Sequence, residues 1–193
     1  MISGEGRELQ GMRADKLILL VLLAVCAVAA RWLVPASSAK LPECAYAEIH
    51  LRPLGGPLPN GLETSVSKFL GRSVIVDEQA PMPQASRDAE RGQYDAERCG
   101  LIAPQGQFVL EVTALDLYTS GKPEWGYCFG QRFENGGVIS SARMGGVPER
   151  LQKMAIRYVL EGAYGCRRVN DPGSLLHEQI LGPGDLDAMQ MRL

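Results

Sequence analysis

Histidine is scarce in this 193-residue chain, occurring only at His50 and His177. A catalytic zinc site commonly takes three protein ligands plus water, with two imidazoles one helical turn apart in HExxH. Two histidines so far apart in sequence exclude a three-histidine centre under any alignment. The five cysteines follow no zinc-binding spacing, and no serine sits in a Gly-x-Ser-x-Gly turn. Excess charge of either sign is also missing. The formal net charge is -2, with Arg and Lys scattered among acids, whereas a phosphate-binding surface needs a concentrated basic patch, so no nucleic-acid partner is expected. There is no repeat, and the composition, 46% hydrophobic, excludes disorder, collagen and coiled coil in favour of one compact domain.

What the sequence does contain is an apolar run from Leu17 to Ala30, LILLVLLAVCAVAA, extended through Arg31 by Trp32, Leu33 and Val34. As a helix, residues 17–34 would span about 27 Å, close to the hydrocarbon thickness if Arg31 snorkels. A cleavable signal peptide ending near Ala27-Val28-Ala29 is the competing reading. The retained Met1 favours an uncleaved signal anchor, and Cys26 lies too deep in the run for a lipoprotein site. Arg7, Arg13 and Lys16 before the run, against Arg31 and Lys40 after it, place residues 1–16 in the cytoplasm. The expected arrangement is therefore a transmembrane anchor over 17–34, a Pro/Ser linker over 35–44 and a periplasmic domain over 45–193, in a bacterial inner membrane.

Cys44, Cys99, Cys128 and Cys166 lie beyond the run. They can form two disulfides in three connectivities, or remain free buried thiols in a reduced compartment. Hydrophobic patterning predicts strands over Tyr46–Leu51, Ser73–Val76 and Gln107–Thr113, and a short amphipathic helix over Leu62–Leu70 stopped by Gly71. A loop followed by a helix is expected near Tyr94–Leu101. Tyr127–Phe133 and Gly137–Ser140 read as strands joined by the Glu134-Asn135-Gly136 turn. Pro148 opens a long helix, Glu149–Tyr164, with Leu151, Met154, Ala155, Tyr158, Val159 and Gly162 available to face a sheet.

Several of these segments carry a family likeness. Asp88-Ala89-Glu90-Arg91-Gly92-Gln93-Tyr94 is similar to a "DPxRxQY" segment. Val112–Tyr118, Tyr127–Gly130 and Gly137–Arg143 are similar to "VTDVDLY", "FVFG" and "AVVSxxRL". Together with the helix following Arg150-Leu151-Gln152-Lys153, they make Gln84–Ala188 resemble the archaemetzincin family of zinc metallopeptidases, with a weaker match over Tyr46–Pro83. The resemblance implies a metzincin-like α/β fold, a mixed sheet with packed helices, here preceded by one N-terminal transmembrane helix.

It also implies a zinc-binding HExGHxxGLxHC segment, which this chain does not have. Laid without gaps, Tyr158 stands at the first His, Val159 at the general-base Glu, Gly162 at the second His and Arg168 at the third, while Gly165 keeps the turning glycine. Val169 and Ser174 replace two cysteines of a second, structural zinc site, Leu176 replaces the Met of the Met-turn, and no CxxC follows in the sequence. The chain therefore reads as a degenerate member lacking both zinc sites, with no catalytic, metal or cofactor residues. A substitute site from Glu161 and His177 is the less favoured reading; Glu161 is better taken as a partner of Arg157, Arg167 or Arg168, and His177 as a turn residue.

The expected role is a non-catalytic accessory subunit of an integral membrane complex, such as a respiratory or photosynthetic (reaction-centre) assembly, with Trp125, Tyr127 and Phe129 at an interface or in the core. Two alternatives stand beside it. One is a peptide- or ligand-binding module that keeps the protease cleft. The other is a hydrolase built on Ser140, Ser141 or Ser174 with Asp116 or Asp171.

Overall fold

In the computed structural model, residues 40–100 and 103–192 are described. Strand β1 (Glu48–Pro53) leads through a turn to helix α1 (Leu62–Leu70) and strand β2 (Ile75–Val76). Short strands β3 (Arg87–Asp88) and β4 (Gln93–Asp95) follow, then β5 (Gln107–Thr113), β6 (Leu117–Tyr118) and the hairpin β7 (Gly130–Phe133) and β8 (Gly136–Ser140). Helices α2 (Pro148–Ala163) and α3 (Pro183–Ala188) complete the order.

The main sheet runs β2-β1-β5-β8-β7. All its pairs are parallel except the β7–β8 hairpin. The side-chain period of two divides this sheet cleanly. Ile49, Leu51, Phe108, Leu110, Val112 and Ile139 join α1 and α2 in the main core. Leu54, Leu117, Cys128 and Val138 form a second apolar cluster with Ala96 and Cys99. That cluster is served by a small sheet, β3-β4-β6.

Helix α1 forms over the predicted residues because Leu62, Val66 and Leu70 fall on one face, and Gly71, at φ 65, ends it in a left-handed turn. Helix α2 begins with Pro148, whose fixed φ suits the first turn. The helix expected near Tyr94–Leu101 does not form. Tyr94 pairs with Leu117, the Asp95 side chain caps only a short 3-10 turn over Ala96–Arg98, and Gly100 is pressed against Phe133, whose ring would lie 2.5 Å from an added Cβ.

The cytoplasmic segment and anchor assigned to residues 1–34 lie outside the described residues, as does most of the linker. Leu41 and Cys44, at the end of that linker, pack against the main core, and the Ala45 N–H donates to Ala163 O at 2.8 Å. Among the described residues no helix is long and apolar enough to cross a membrane. The longest, α2, has 16 residues and carries Glu149, Arg150, Lys153, Arg157 and Glu161, whereas a crossing needs about 20 mostly apolar residues. The fold is thus corrected to a mixed α/β sheet with packed helices and no described membrane helix. No described helix supports the bilayer contact through 17–34, the single-pass inner-membrane location or the subunit role in a respiratory or photosynthetic membrane complex, and these readings are set aside.

Candidate functional site

Helix α2 ends within the segment that the sequence resemblance sets against a zinc-binding pattern. Gly165, at φ 64, reverses the chain, and the Cys166 N–H bonds back to Leu160 O at 3.0 Å. The reversal returns Arg168 to the side of Glu161. Its Nε lies 3.1 Å from Oε1 and its Nη2 2.9 Å from Oε2. Beyond it, Val169 clips onto the segment before α3, its N–H donating to Leu176 O at 2.8 Å and its carbonyl accepting from the Glu178 N–H at 3.0 Å. That clip carries Glu178–Leu181 to the mouth of a cleft.

The cleft has a volume of about 860 Å³. Its floor is α2, through Met154, Arg157 and Tyr158, and its walls come from Lys122–Gly130 on one side and Arg168 with Glu178–Leu181 on the other. Trp125 and Leu181 are exposed at its edge, while Phe129 is buried. Tyr127 and Phe129 meet edge to face at 5.4 Å, and the Tyr127 hydroxyl donates to Leu181 O at 3.5 Å, a contact that ties the two walls together. The three aromatic residues singled out in sequence therefore line one cleft.

The four positions that the sequence resemblance sets against zinc-site residues have distinct fates. Tyr158 lines the cleft, and its ring lies against the hairpin. A Cβ on Gly130 would fall 2.9 Å from the Tyr158 Oη, and one on Gly137 3.0 Å from its Cδ1. Burial pushes the Tyr158 phenol well above the ordinary tyrosine value, so it stays neutral. Val159 is fully buried in the main core and takes no part in the cleft. Gly162 faces Phe108, whose Cε2 would be 2.3 Å from an added Cβ, and no imidazole fits there unless that buried ring moves. Arg168 places a guanidinium, a pure donor, at the cleft wall.

Glu161, on the same helix, is held by Arg157 Nε at 2.8 Å, Arg168 Nη2 at 2.9 Å and Arg132 Nη1 at 3.5 Å. The carboxylate is almost wholly buried and already committed to guanidinium groups, so it is no zinc ligand. His177 lies on the clip, its N–H donating to Ser174 O, and it is not among the residues lining the cleft. Among the described residues no group of three His, Cys, Asp or Glu could hold a metal ion. The donors present at this site do not fit zinc.

Nor do the candidate hydrolase groups assemble. The Ser140 hydroxyl donates to Leu115 O at 2.6 Å, and Ser174 Oγ accepts from the Leu176 N–H. Asp171 accepts from the Gly173 N–H, while Asp116 is bound by Arg143 and Gln93. Ser141 Oγ reaches only Thr113 O, at 3.4 Å. Cys44, Cys99, Cys128 and Cys166 are free thiols. Cys99 and Cys128 share the second apolar cluster, where burial pushes their thiols up to about 11 and about 12. Such thiols stay protonated and unreactive near neutrality.

Sequence reasoning did not find Arg132, Lys122, Ile180 or Leu181 as parts of this site. The one local signal was the spacing of Arg157 and Glu161, four residues apart on a helix.

No protein-family model and no curated protein sequence matches the chain. Solved structures do. The chain is similar to the archaemetzincin from Methanopyrus kandleri, at 24% identity and a TM-score of 0.63, over 83% of this chain and 92% of that one. It is similar to the archaemetzincin from Archaeoglobus fulgidus, solved in complex with malonate, at 18% identity and 0.62, over 75% and 94%. A zinc-dependent peptidase from Methanocorpusculum labreanum matches at 19% identity and 0.60, over 74% and 94%. The described domain has the archaemetzincin fold, without a metal-binding triad among its described residues.

Proposed function

We propose that this protein is a non-catalytic binding module that uses the cleft of a peptidase fold to hold a peptide or peptide-sized ligand without cutting it. The observation that carries this reading is the cleft of about 860 Å³ lying on the helix and return loop where a zinc peptidase would place its metal. That volume is within the range of sites that bury small ligands, and its mixture of aromatic walls with a few polar groups is the usual composition of such sites. The reacting machinery is replaced by groups that can bind but not activate water: a neutral phenol at Tyr158, an arginine at Arg168 and a carboxylate at Glu161 already engaged by guanidinium groups.

The test is affinity selection of a pool of acetylated random peptides on the full chain, with the retained material read by mass spectrometry. Enrichment of intact peptides is expected, and Ile180→Trp, which narrows the cleft, should abolish it. Stoichiometric zinc uptake accompanied by zinc-dependent shortening of the peptides would overturn the reading. So would enrichment that survives the narrowing substitution unchanged.

A further inference from the structure

The cleft carries a surplus of positive charge, gathered at the return loop beside Glu161. Glu161 is the carboxylate shared by Arg157, Arg168 and Arg132, at 2.8, 2.9 and 3.5 Å. One negative charge thus faces three positive ones. Of the charged residues lining the cleft itself, Lys122, Arg157 and Arg168 are cationic and Glu178 is anionic. Arg157 is nearly buried, with its side chain 3% exposed, while Arg168 is 51% exposed. Arg168 is therefore both anchored by Glu161 and open to a ligand. Its remaining N–H capacity is met only by a long contact to the Glu178 carbonyl at 3.5 Å.

The geometry points to a peptide C-terminus as the ligand: the free α-carboxylate pairs with Arg168, and an apolar last side chain lies against Trp125, Tyr127 and Ile180. The assignment rests on the binding-module reading above and gives its ligand a chemistry. A guanidinium recognises a carboxylate through paired N–H donors, and such charge-assisted bonds are stronger than neutral ones. The low-dielectric wall of a cleft strengthens the attraction further. The apolar side of the cleft argues for a peptide over a small free dicarboxylate, which would leave those aromatic walls without use. Lys122 stands over the Trp125 ring at 4.1 Å, so the aromatic wall is itself flanked by positive charge.

Calorimetric titration of the full chain with an acetylated tetrapeptide ending in phenylalanine, as free acid and as C-terminal amide, tests this. The acid should bind at least about tenfold more tightly than the amide, and added salt should shrink the difference. Arg168→Gln should bring the acid down to the level of the amide, whereas Trp125→Ala should weaken both alike. Glu178→Gln, which removes the opposing charge at an exposed position, should tighten the acid about twofold relative to the amide. This last variant removes no cation and does not depend on the fold tolerating the loss of Arg168. Equal binding of acid and amide overturns the carboxylate assignment while leaving the binding module intact. Malonate displacing the acid at equal concentration, with Trp125→Ala having no effect, overturns it in favour of a small-anion site. Absence of binding by either peptide overturns it too; the random-peptide selection then decides separately whether the module reading falls with it.

Discussion

The two faces of α2 differ in what each demands of its residues. Toward the sheet the helix presents Leu151, Ala155, Val159 and Gly162, which meet a core containing Phe108, Leu110 and Ile139. Toward the cleft it presents Met154, Arg157 and Tyr158, with the Glu161 carboxylate beside them. The first face is specified by shape: a side chain fits or it does not. The second is specified by charge, three guanidinium groups gathered round one carboxylate. The comparison shows how this fold stands without a metal-binding group among its described residues. The sheet-facing residues hold the scaffold by packing, and the cleft-facing residues can take another chemistry provided their buried charges remain paired.

Glu161→Leu should break this division most severely. It leaves Arg157, nearly buried, without its carboxylate, and loss of one partner from a buried pair costs about 3–5 kcal/mol. The double variant Glu161→Leu with Arg157→Met should recover much of that loss, because the uncompensated charge is gone. Urea unfolding of the single and double variants checks both. Equal losses in the two would mean that the pair matters through packing, as the opposite face does.

On the sheet face, Gly162→Ala should cost about 1–2 kcal/mol in the same unfolding experiment. An added Cβ would stand 2.3 Å from Phe108 Cε2, and overpacking of this kind costs about 1–3 kcal/mol, offset in part by alanine's better helix propensity. Shortening the obstacle with Phe108→Leu should make the alanine less costly than it is in the parent chain. Independent losses at the two positions would sever the steric link between helix and sheet on which this face depends.

The scaffold face was readable in advance and the charged face only in part, for a physical reason. Helix α1 and strand β5 occupy the residues predicted from apolar spacing, Leu62–Leu70 and Gln107–Thr113, and α2 is displaced by one residue at each end. Periodicity is a local property, and burial enforces it. The small sheet was missed because strands of two or three residues carry no period. At the site, the replacements assigned to Tyr158, Val159, Gly162 and Arg168 rest on the sequence resemblance alone, whereas the pairing of Glu161 with Arg157 and Arg168 was named in advance and forms. The contribution of Arg132, from the hairpin, and the block of Gly162 by Phe108, from β5, join segments distant in sequence. The fold brings them together, and no local pattern announces them.

Away from α2, Asp116 offers a contrast in pH dependence. Burial is the largest single influence and opposes its ionisation. Hydrogen bonds from Arg143 and Gln93 and the Arg143 charge together outweigh it, and the carboxyl is held below the ordinary aspartate range. A carboxyl depressed in the folded state stabilises the fold above its unfolded pKa, near 4, and that contribution is lost as pH falls through the lower folded value. Asp116→Asn should therefore lower stability at neutral pH and flatten the loss of stability below about pH 4. Thermal unfolding of both proteins from pH 7 to pH 2.5 would show it. Parallel acid limbs would mean that the titration controlling acid unfolding lies elsewhere.

The smallest effect on folding is expected at the residue most important for binding. Arg168 makes a two-pronged contact with Glu161, yet its side chain is 51% exposed and Glu161 keeps Arg157 and Arg132 when it is removed. Exposed pairs contribute about 0–1 kcal/mol, so Arg168→Gln should shift the urea midpoint only slightly while removing the preference for a carboxylate ligand. Arg157→Gln makes the informative control: it removes the same formal charge from the same cluster, but at a buried position, and should cost more stability than Arg168→Gln. If the two substitutions destabilise equally, Arg168 is part of the scaffold and the separation between the faces of α2 fails. If only the exposed one leaves folding intact, charge at the cleft wall is held ready by Glu161 rather than consumed by it, as an arginine in a ligand's path requires.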